Sequence, residues 1–189
     1  MEQRKQEVLI VGGGLAGLVA SLLLVKKGHA VTLVEKKVYP FHRVCGEYVS
    51  NEVLDFLKRN NLYPDFLELP HIDTFEFSDT RGKSVFLPLD LGGFGISRYQ
   101  LDLWLYQLAS EQGVKFLTGT TVIDLEFLEK EDVFEVKLSD FQVLQVPVVL
   151  GAFGKRSKLD QVLERPFFTK RSPYIGVKYH VLAEGSANT

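Results

Sequence analysis

The clearest pattern of apolar and polar positions lies near the start of the chain. Residues 8–11 form a short apolar run, which is typical of a strand buried on both faces. A helical pattern follows over residues 15–27, and Gly28 predicts the end of that helix. A second apolar run over residues 30–34 ends at Glu35. This order predicts a strand, a helix and a second strand that belong to one parallel sheet.

Later apolar runs extend this sheet and add a second one. Residues 114–117 and 147–150 predict two more buried parallel strands. Three alternating runs between residues 121 and 146, separated by short acidic turns, predict an antiparallel meander.

The remaining patterns predict helices and a hairpin. The helices are expected over residues 51–60 and 100–112. Alternating positions over residues 74–87 predict a hairpin. Phe75, Phe77, Phe86 and Phe94 are expected in a core, with the lining of an apolar substrate pocket as the alternative. The glycines of residues 92–95 predict a flexible segment, and residues 174–181 form a last strand-like run.

A glycine-rich turn joins the first predicted strand to its helix. Gly12, Gly14 and Gly17 have the spacing G-x-G-x-x-G. Gly12 permits a tight turn, Gly14 has no Cβ to obstruct a pyrophosphate, and Gly17 lets the helix pack closely on the sheet. The amide groups and the positive end of the helix dipole face the phosphates. Glu35 follows about 20 residues later, where its carboxylate can accept hydrogen bonds from ribose hydroxyls, so the segment predicts a dinucleotide site.

A membrane span or a signal peptide is the competing interpretation of this segment. Residues 8–25 carry no charge and follow the polar sequence MEQRKQ. Four glycines early in the stretch disfavour a membrane helix, and no small-residue cleavage site follows. The second strand would also be left unexplained, so we expect no transmembrane segment.

The composition argues against a nucleic-acid partner, an internal disulfide and a metal site. The 189 residues have a formal net charge of −2, so the chain has no basic field and nucleic acid is not an expected partner. Cys45 is the only cysteine, which rules out an internal disulfide and favours a cytoplasmic location. The histidines are scattered without metal-ligand spacing, so no metal site is predicted.

Four sequence blocks carry a family resemblance. They are GGGLAG with Glu35, RVCGE at residues 43–47, SRYQLDLWLYQLASEQG from Ser97, and GAFGKRS from Gly151. With them the chain resembles the N-terminal half of flavoprotein monooxygenases of the p-hydroxybenzoate hydroxylase type. It also resembles their relatives, the geranylgeranyl reductases and flavin-dependent halogenases. RVCGE looks most like the reductase and halogenase branch.

The resemblance implies a fold and its division. The fold class is α/β, a Rossmann-like FAD/NAD(P)-binding domain with a parallel sheet, an antiparallel β-meander and part of a β-rich substrate lobe. Residues 1–70 and 97–160 would form the discontinuous FAD-binding domain. Residues 71–96 and 161–189 would form the partial substrate lobe.

FAD is the cofactor that the resemblance implies, with NAD(P)H as the candidate reductant. Arg43 and Arg98 would lie along the phosphates and ribityl chain, because a guanidinium matches phosphate oxygens. Cys45 and Gly46 would lie near the isoalloxazine ring, and Val122 would contact adenine through its backbone. Solvated ion pairs for the two arginines, a small buried hydrophobe at Cys45 and an ordinary core valine at Val122 stay open as alternatives.

No catalytic residue is assigned from the sequence. The predicted cofactor-binding residues are Gly12, Gly13, Gly14, Leu15, Ala16, Gly17, Glu35, Lys36, Arg43, Cys45, Gly46, Arg98 and Val122.

Two features depart from the family. Phe153 stands where the family usually has an aspartate tied to flavin and nicotinamide contacts, although Gly151, Gly154 and Arg156 remain. The second motif of the family, G-D-A, does not occur before Thr189. We therefore expect a fragment of a longer enzyme that lacks its C-terminal half, with a genuine short protein as the alternative.

The expected function is that of a flavin-dependent oxidoreductase or monooxygenase acting on a small apolar, aromatic or prenyl substrate. An NAD-dependent dehydrogenase of plain Rossmann type is one alternative, but the predicted meander and the lack of regular strand-helix alternation after Val34 argue against it. A truncated nucleotide-binding module without catalysis is another, favoured by the missing C-terminal motif.

Overall fold

The computed structural model describes residues 7–154, 157–166 and 174–180. It has an α/β fold with one parallel and two antiparallel sheets, which confirms the predicted fold class. Its elements in chain order are β1 (Glu7–Val11), α1 (Leu15–Lys26), β2 (Ala30–Glu35), β3 (Tyr48–Ser50), a 3₁₀ helix (Asn51–Val53), α2 (Leu54–Arg59), β4 (His71–Ser78), β5 (Ser84–Gly95), α3 (Arg98–Glu111), β6 (Lys115–Thr118), β7 (Val122–Leu128), β8 (Val133–Leu138), β9 (Val143–Val146), β10 (Val148–Gly151) and α4 (Leu159–Val162).

The chain divides into two compact units. The first has the bounds Met1–Phe41 and Asp102–Tyr174, and the second has the bounds His42–Leu101 and Ile175–Thr189. Among the described residues, every helix falls short of the length and apolar character that a membrane span requires.

The first unit is built on the parallel sheet. Its strand order is β10-β1-β2-β6, with β1 paired to both β10 and β2. Leu9 and Ile10 of β1 and Leu33 of β2 are 0% exposed, as expected for strands covered on both faces. Gly28 follows α1 with a φ of 85°, a conformation that suits glycine and ends the helix. The four predicted parallel strands are therefore confirmed.

The antiparallel meander of β7, β8 and β9 packs against this sheet. Its strands run in sequence order, as predicted. Buried side chains from β1, β2, the meander and α4 form one core, consisting of Leu9, Val11, Val34, Val122, Val136, Leu138, Val146 and Leu159. This core supports the carboxyl ends of β1 and β2, where the sequence predicts the dinucleotide site.

The second unit contains the predicted hairpin, formed by β4 and β5, with β3 on its other edge. The prediction of a flexible segment over residues 92–95 is wrong, because these residues end β5. Gly93 pairs with Ser50 on one side and Ile72 on the other. A Cβ on Gly93 would overlap with the ring of Tyr48, so glycine is needed here for close strand packing.

One face of the hairpin is apolar and exposed. Phe75 lies opposite Leu87 and Phe77 lies opposite Val85, which places the four side chains on the same face. Phe75 and Phe77 are 49% and 65% exposed, and Phe86 on the other face is 59% exposed. The expectation of core aromatics is thus wrong for these three residues and confirmed for Phe94, which is 5% exposed.

The helix boundaries differ from the predicted ones by one to three residues. Helix α3 begins at Arg98 rather than residue 100, because the Ser97 hydroxyl caps it by accepting a hydrogen bond from the Gln100 N–H at 3.2 Å. The helix expected over residues 51–60 is a 3₁₀ helix over Asn51–Val53 followed by α2, which ends at Arg59. Ser50 is the predicted N-cap, and its hydroxyl accepts a hydrogen bond from the Glu52 N–H.

The strand predicted over residues 174–181 is wrong in its described part. Residues 174–180 have no regular secondary structure, and Val181 lies outside the described residues. Ile175 and Tyr179 are 90% and 80% exposed. Their alternating pattern suits a strand, but none of the described strands pairs with this segment.

Candidate dinucleotide-binding site

The turn between β1 and α1 is closed on the side of the sheet. Gly12 has a φ of 107°, and its N–H donates to the Val34 carbonyl at 2.8 Å. A Cβ on Gly12 would overlap with the backbone of Ala152 and Phe153, and one on Gly17 would overlap with the Gly12 carbonyl oxygen. Only glycine fits at these two positions, because backbone atoms occupy the space of a side chain.

The same turn is open at Gly14. A Cβ built on Gly14 meets no atom within 4 Å. Gly14 is the N-cap of the 12-residue helix α1, and no side chain caps the helix or places an acid in its first turn. Leu15 and the exposed Ala16 begin that turn. The N-terminal amide groups and helix dipole therefore face an open space that suits an anion.

Glu35 lies beside this turn, at the end of β2. Its side chain is 4% exposed, and its two oxygens accept hydrogen bonds from the Gly13 N–H at 2.8 Å and the Lys37 N–H at 3.1 Å. A carboxylate has about four lone-pair sites, so each of its oxygens can accept more than one hydrogen bond. Lys36, the next residue in the predicted set, is exposed.

Tyr39 also contacts this turn, and sequence reasoning missed it. Its hydroxyl donates a hydrogen bond to the Gly13 carbonyl at 2.5 Å, and the residue is 8% exposed. Its ring stacks on Tyr106 with centroids 4.5 Å apart. The signal in the sequence is an aromatic residue four positions after the acidic residue of the motif.

The GAFGKRS block lies against the same turn. The Ala152 N–H donates to the Val11 carbonyl at 2.8 Å. Phe153, in the place of the family aspartate, packs against the core, and the Arg165 guanidinium lies 5.8 Å from its ring centroid. Arg156 lies outside the described residues. The structure therefore brings two of the four sequence blocks together within one unit.

Val122 lies in the core of the first unit rather than at a surface. It is 5% exposed and pairs with Leu138 in the meander. Its side chain therefore serves packing, and only its backbone is left for the predicted adenine contact.

The other predicted residues lie in the second unit, around Glu47. The Cys45 sulfur accepts a hydrogen bond from the Glu47 N–H at 3.5 Å, and a Cβ on Gly46 would meet no atom within 4 Å. Arg43 is partly buried. The Arg98 N–H, at the start of α3, donates to the Glu47 carboxylate at 3.0 Å.

Glu47 also contacts the side chains of Lys178 and His180. Its φ is 60°, and its carboxylate lies 2.5 Å from the Lys178 ammonium and 3.1 Å from His180 Nε2. Burial raises the pKa of this carboxyl, but the hydrogen bonds from Lys178, Arg98 and His180 outweigh burial. The pKa of Glu47 therefore lies below its ordinary value of 4.5.

An open groove of about 380 Å³ lies beside Glu47 in the second unit. It is lined by Gly46, Glu47, Leu67, Glu68, Leu69, Pro70, Ile72, Gly95, Ile96, Ser97 and Gln100. Within the described residues, no three His, Cys, Asp or Glu side chains are grouped as metal ligands.

Comparison with known proteins matches a family and several longer relatives. The profile of the FAD binding domain family matches residues 5–126. A menaquinone reductase of Mycolicibacterium smegmatis is 25% identical over 177 residues, which are 85% of this chain and 40% of the relative. The FAD-dependent monooxygenase asL4 of Sarocladium schorii is 30% identical, over 85% of this chain and 39% of the relative. The chain thus spans about two-fifths of the length of these relatives.

A solved structure supports the fold. A variant of 2-methyl-3-hydroxypyridine-5-carboxylic acid oxygenase superposes with a TM-score of 0.71 at 25% sequence identity. The match covers 85% of this chain and 42% of the oxygenase chain.

Proposed function

Because the chain belongs to the FAD binding domain family, we propose that it forms the N-terminal, FAD-holding part of a flavin-dependent oxidoreductase. The observation that carries the proposal is the contrast within the β1–α1 turn. Gly12 and Gly17 are enclosed by backbone, while Gly14 and the first amides of α1 face open space. A pyrophosphate fits such a turn, since it needs close backbone approach and a positive helix end.

The residues of the first unit would bind and orient the adenosine diphosphate part of FAD. Gly12, Gly13, Gly14, Leu15, Ala16 and Gly17 supply the backbone turn, and Glu35 accepts from ribose hydroxyls, with Lys36 beside it. The Val122 backbone contact with adenine stays a prediction.

The residues of the second unit are proposed for the rest of the cofactor. Arg43 and Arg98 carry charges that suit phosphate oxygens, and Gly46 leaves room for close backbone approach. Cys45 is proposed near the flavin ring. Bound FAD would supply hydride transfer, and the protein would supply binding, orientation and exclusion of water.

For the whole protein we propose only a class of reaction. The relatives are named as a reductase and a monooxygenase, and others as halogenases. RVCGE supports the reductase and halogenase branch, including the geranylgeranyl reductases. We propose NAD(P)H as reductant and a small apolar, aromatic or prenyl substrate. The single cysteine supports a cytoplasmic location.

A further part of the protein is proposed to cover the second unit. The apolar face of the hairpin, with Phe77 at 65% exposure, supports this, because solvated faces of antiparallel sheets are normally polar. The short span relative to the curated relatives supports it as well. The division into a FAD-binding domain and a partial substrate lobe, over the ranges given above, belongs to the same proposal.

A visible spectrum of the purified protein tests the proposal. Bound flavin gives absorption bands at about 370 and 450 nm, either as purified or after addition of FAD and gel filtration. We expect those bands in the wild type and their loss in Gly14→Val. A colourless protein that binds NAD but not added FAD would instead support the dehydrogenase alternative.

A further inference from the structure

Gly13 is a glycine that the G-x-G-x-x-G spacing does not require. Its φ is not positive, so its backbone conformation is open to any residue. A Cβ at this position would nevertheless overlap with the Tyr39 hydroxyl, and it would lie 3.0 Å from Glu35 Cβ and 3.1 Å from Tyr39 Cζ. Gly13 is therefore required by its two neighbours rather than by the turn itself.

Two side chains fix the peptide groups on either side of Gly13. The Gly13 N–H donates to Glu35 Oε2 at 2.8 Å, and the Gly13 carbonyl accepts from the Tyr39 hydroxyl at 2.5 Å. Glu35 thus holds the peptide before Gly13, and Tyr39 holds the peptide after it.

The second of these bonds sets the direction of the Gly14 amide. In a planar trans peptide the carbonyl and the following N–H point in opposite directions. Because the Gly13 carbonyl points at Tyr39, the Gly14 N–H points away from Tyr39.

The Tyr39 ring is itself held in place. It stacks on Tyr106 at an interplanar angle of 16° and meets Phe116 edge-on at 84°, with centroids 6.4 Å apart. At 8% exposure the phenol has little freedom to leave the Gly13 carbonyl.

We propose that Tyr39 is a positioning residue for the pyrophosphate of FAD. Its hydroxyl holds the peptide between Gly13 and Gly14 so that the Gly14 amide is aimed as a donor before the ligand arrives. This inference rests on the proposed function of the turn. It assigns the role to a side chain outside the glycine motif and explains why Gly13 is a glycine.

The first test removes only the hydroxyl, with Tyr39→Phe. The dissociation constants for FAD and ADP should rise about tenfold, the scale for losing a hydrogen bond that orients a charged contact. Binding of adenosine, measured by competition with FAD, should not change, because adenosine has no diphosphate. Tyr106→Phe is the matched control, since it removes the same atom from the ring stacked on Tyr39, and it should bind all three ligands like the wild type. Unchanged FAD and ADP affinity in Tyr39→Phe, or an equal loss for adenosine, would overturn the inference.

Amide exchange in the ligand-free protein gives a second readout. Exchange of the Gly13 amide, which donates to Glu35, is followed by NMR and should be at least about fivefold faster in Tyr39→Phe than in the wild type, because this peptide segment loses one of its two side-chain hydrogen bonds. Equal exchange rates would overturn the inference even if FAD bound. A wild-type protein that binds neither FAD nor ADP would overturn the proposed function. The exchange rates would still show whether the Tyr39 hydroxyl holds the peptide after Gly13.

A further variant disturbs the same hydrogen bond by changing the acceptor residue, Gly13, instead of Tyr39. Gly13→Ala keeps Tyr39 but places a Cβ against its hydroxyl, so the same selective loss of FAD and ADP binding is expected. In the double variant with Tyr39→Phe, the loss should be no larger than in the more affected single variant, because both changes remove one contact. Additive losses would contradict a shared role.

Discussion

Replacing Gly14 with valine should remove FAD binding while leaving the fold intact. Gly14 has a φ of −81°, which any residue adopts, and its Cβ direction is empty to 4 Å. Valine is a poorer N-cap than glycine, which we expect to cost about 0.5–1 kcal/mol of unfolding free energy. For a chain of this size that corresponds to a decrease in Tm of about 2–4 °C or less.

The effect on binding should be much larger. Valine would occupy the space through which the pyrophosphate approaches the first amides of α1. Losing two charge-assisted hydrogen bonds, at about 1.5–3 kcal/mol each, weakens binding by about 3–6 kcal/mol. Because each 1.4 kcal/mol is a factor of about ten, the dissociation constant should rise by about 10²–10⁴.

Gly17→Ala is the matched control for this prediction. Its Cβ would overlap with the Gly12 carbonyl oxygen, so the substitution should lower the unfolding free energy by about 1–3 kcal/mol, the usual cost of overpacking. Thermal unfolding and FAD fluorescence titration are measured on both variants. The reasoning would be refuted if Gly14→Val lost as much stability as Gly17→Ala, or if it bound FAD like the wild type.

Two further predictions concern carboxylates. Glu35→Ala should weaken FAD binding by about 1–3 kcal/mol, because a charged hydrogen-bond acceptor is lost; calorimetry that finds no change would remove Glu35 from the site. Glu47 has a pKa below 4.5, since its bonds to Lys178, Arg98 and His180 outweigh burial, so it stabilises the folded state above the unfolded-state pKa. The wild type should therefore be more stable than Glu47→Gln at neutral pH, and this difference in unfolding free energy should shrink as the pH falls below about 4.5. Urea unfolding at several pH values measures the difference, and a difference that does not change with pH would contradict the prediction.

The β1–α1–β2 segment could be predicted from the sequence because its signals are local. An apolar run, a glycine spacing and Gly28 each act within a few residues, and the two parallel strands follow from them. The meander was predictable for the same reason, since short turns connect strands that are neighbours in sequence.

Features that depend on distant partners could not be predicted. Glycines over residues 92–95 are typical of a flexible segment until strands on both sides enclose them. The bond from Tyr39 reaches back 26 positions to Gly13, and the contact from His180 reaches back 133 positions to Glu47. The alternation over residues 174–180 was present, but a strand also needs a neighbour to pair with.

The contact of Gly12 with the backbone of Ala152 has a consequence for synthesis on the ribosome. Val11 is paired with Gly151, and its carbonyl accepts from Ala152, so the turn is complete only after β10 has been translated and has docked on β1. Early nascent chains contain β1, α1 and β2 but lack the backbone of Ala152 that packs against Gly12. Because such distant contacts form late, a nucleotide added during translation would meet a complete binding turn only after Ala152 has left the ribosome.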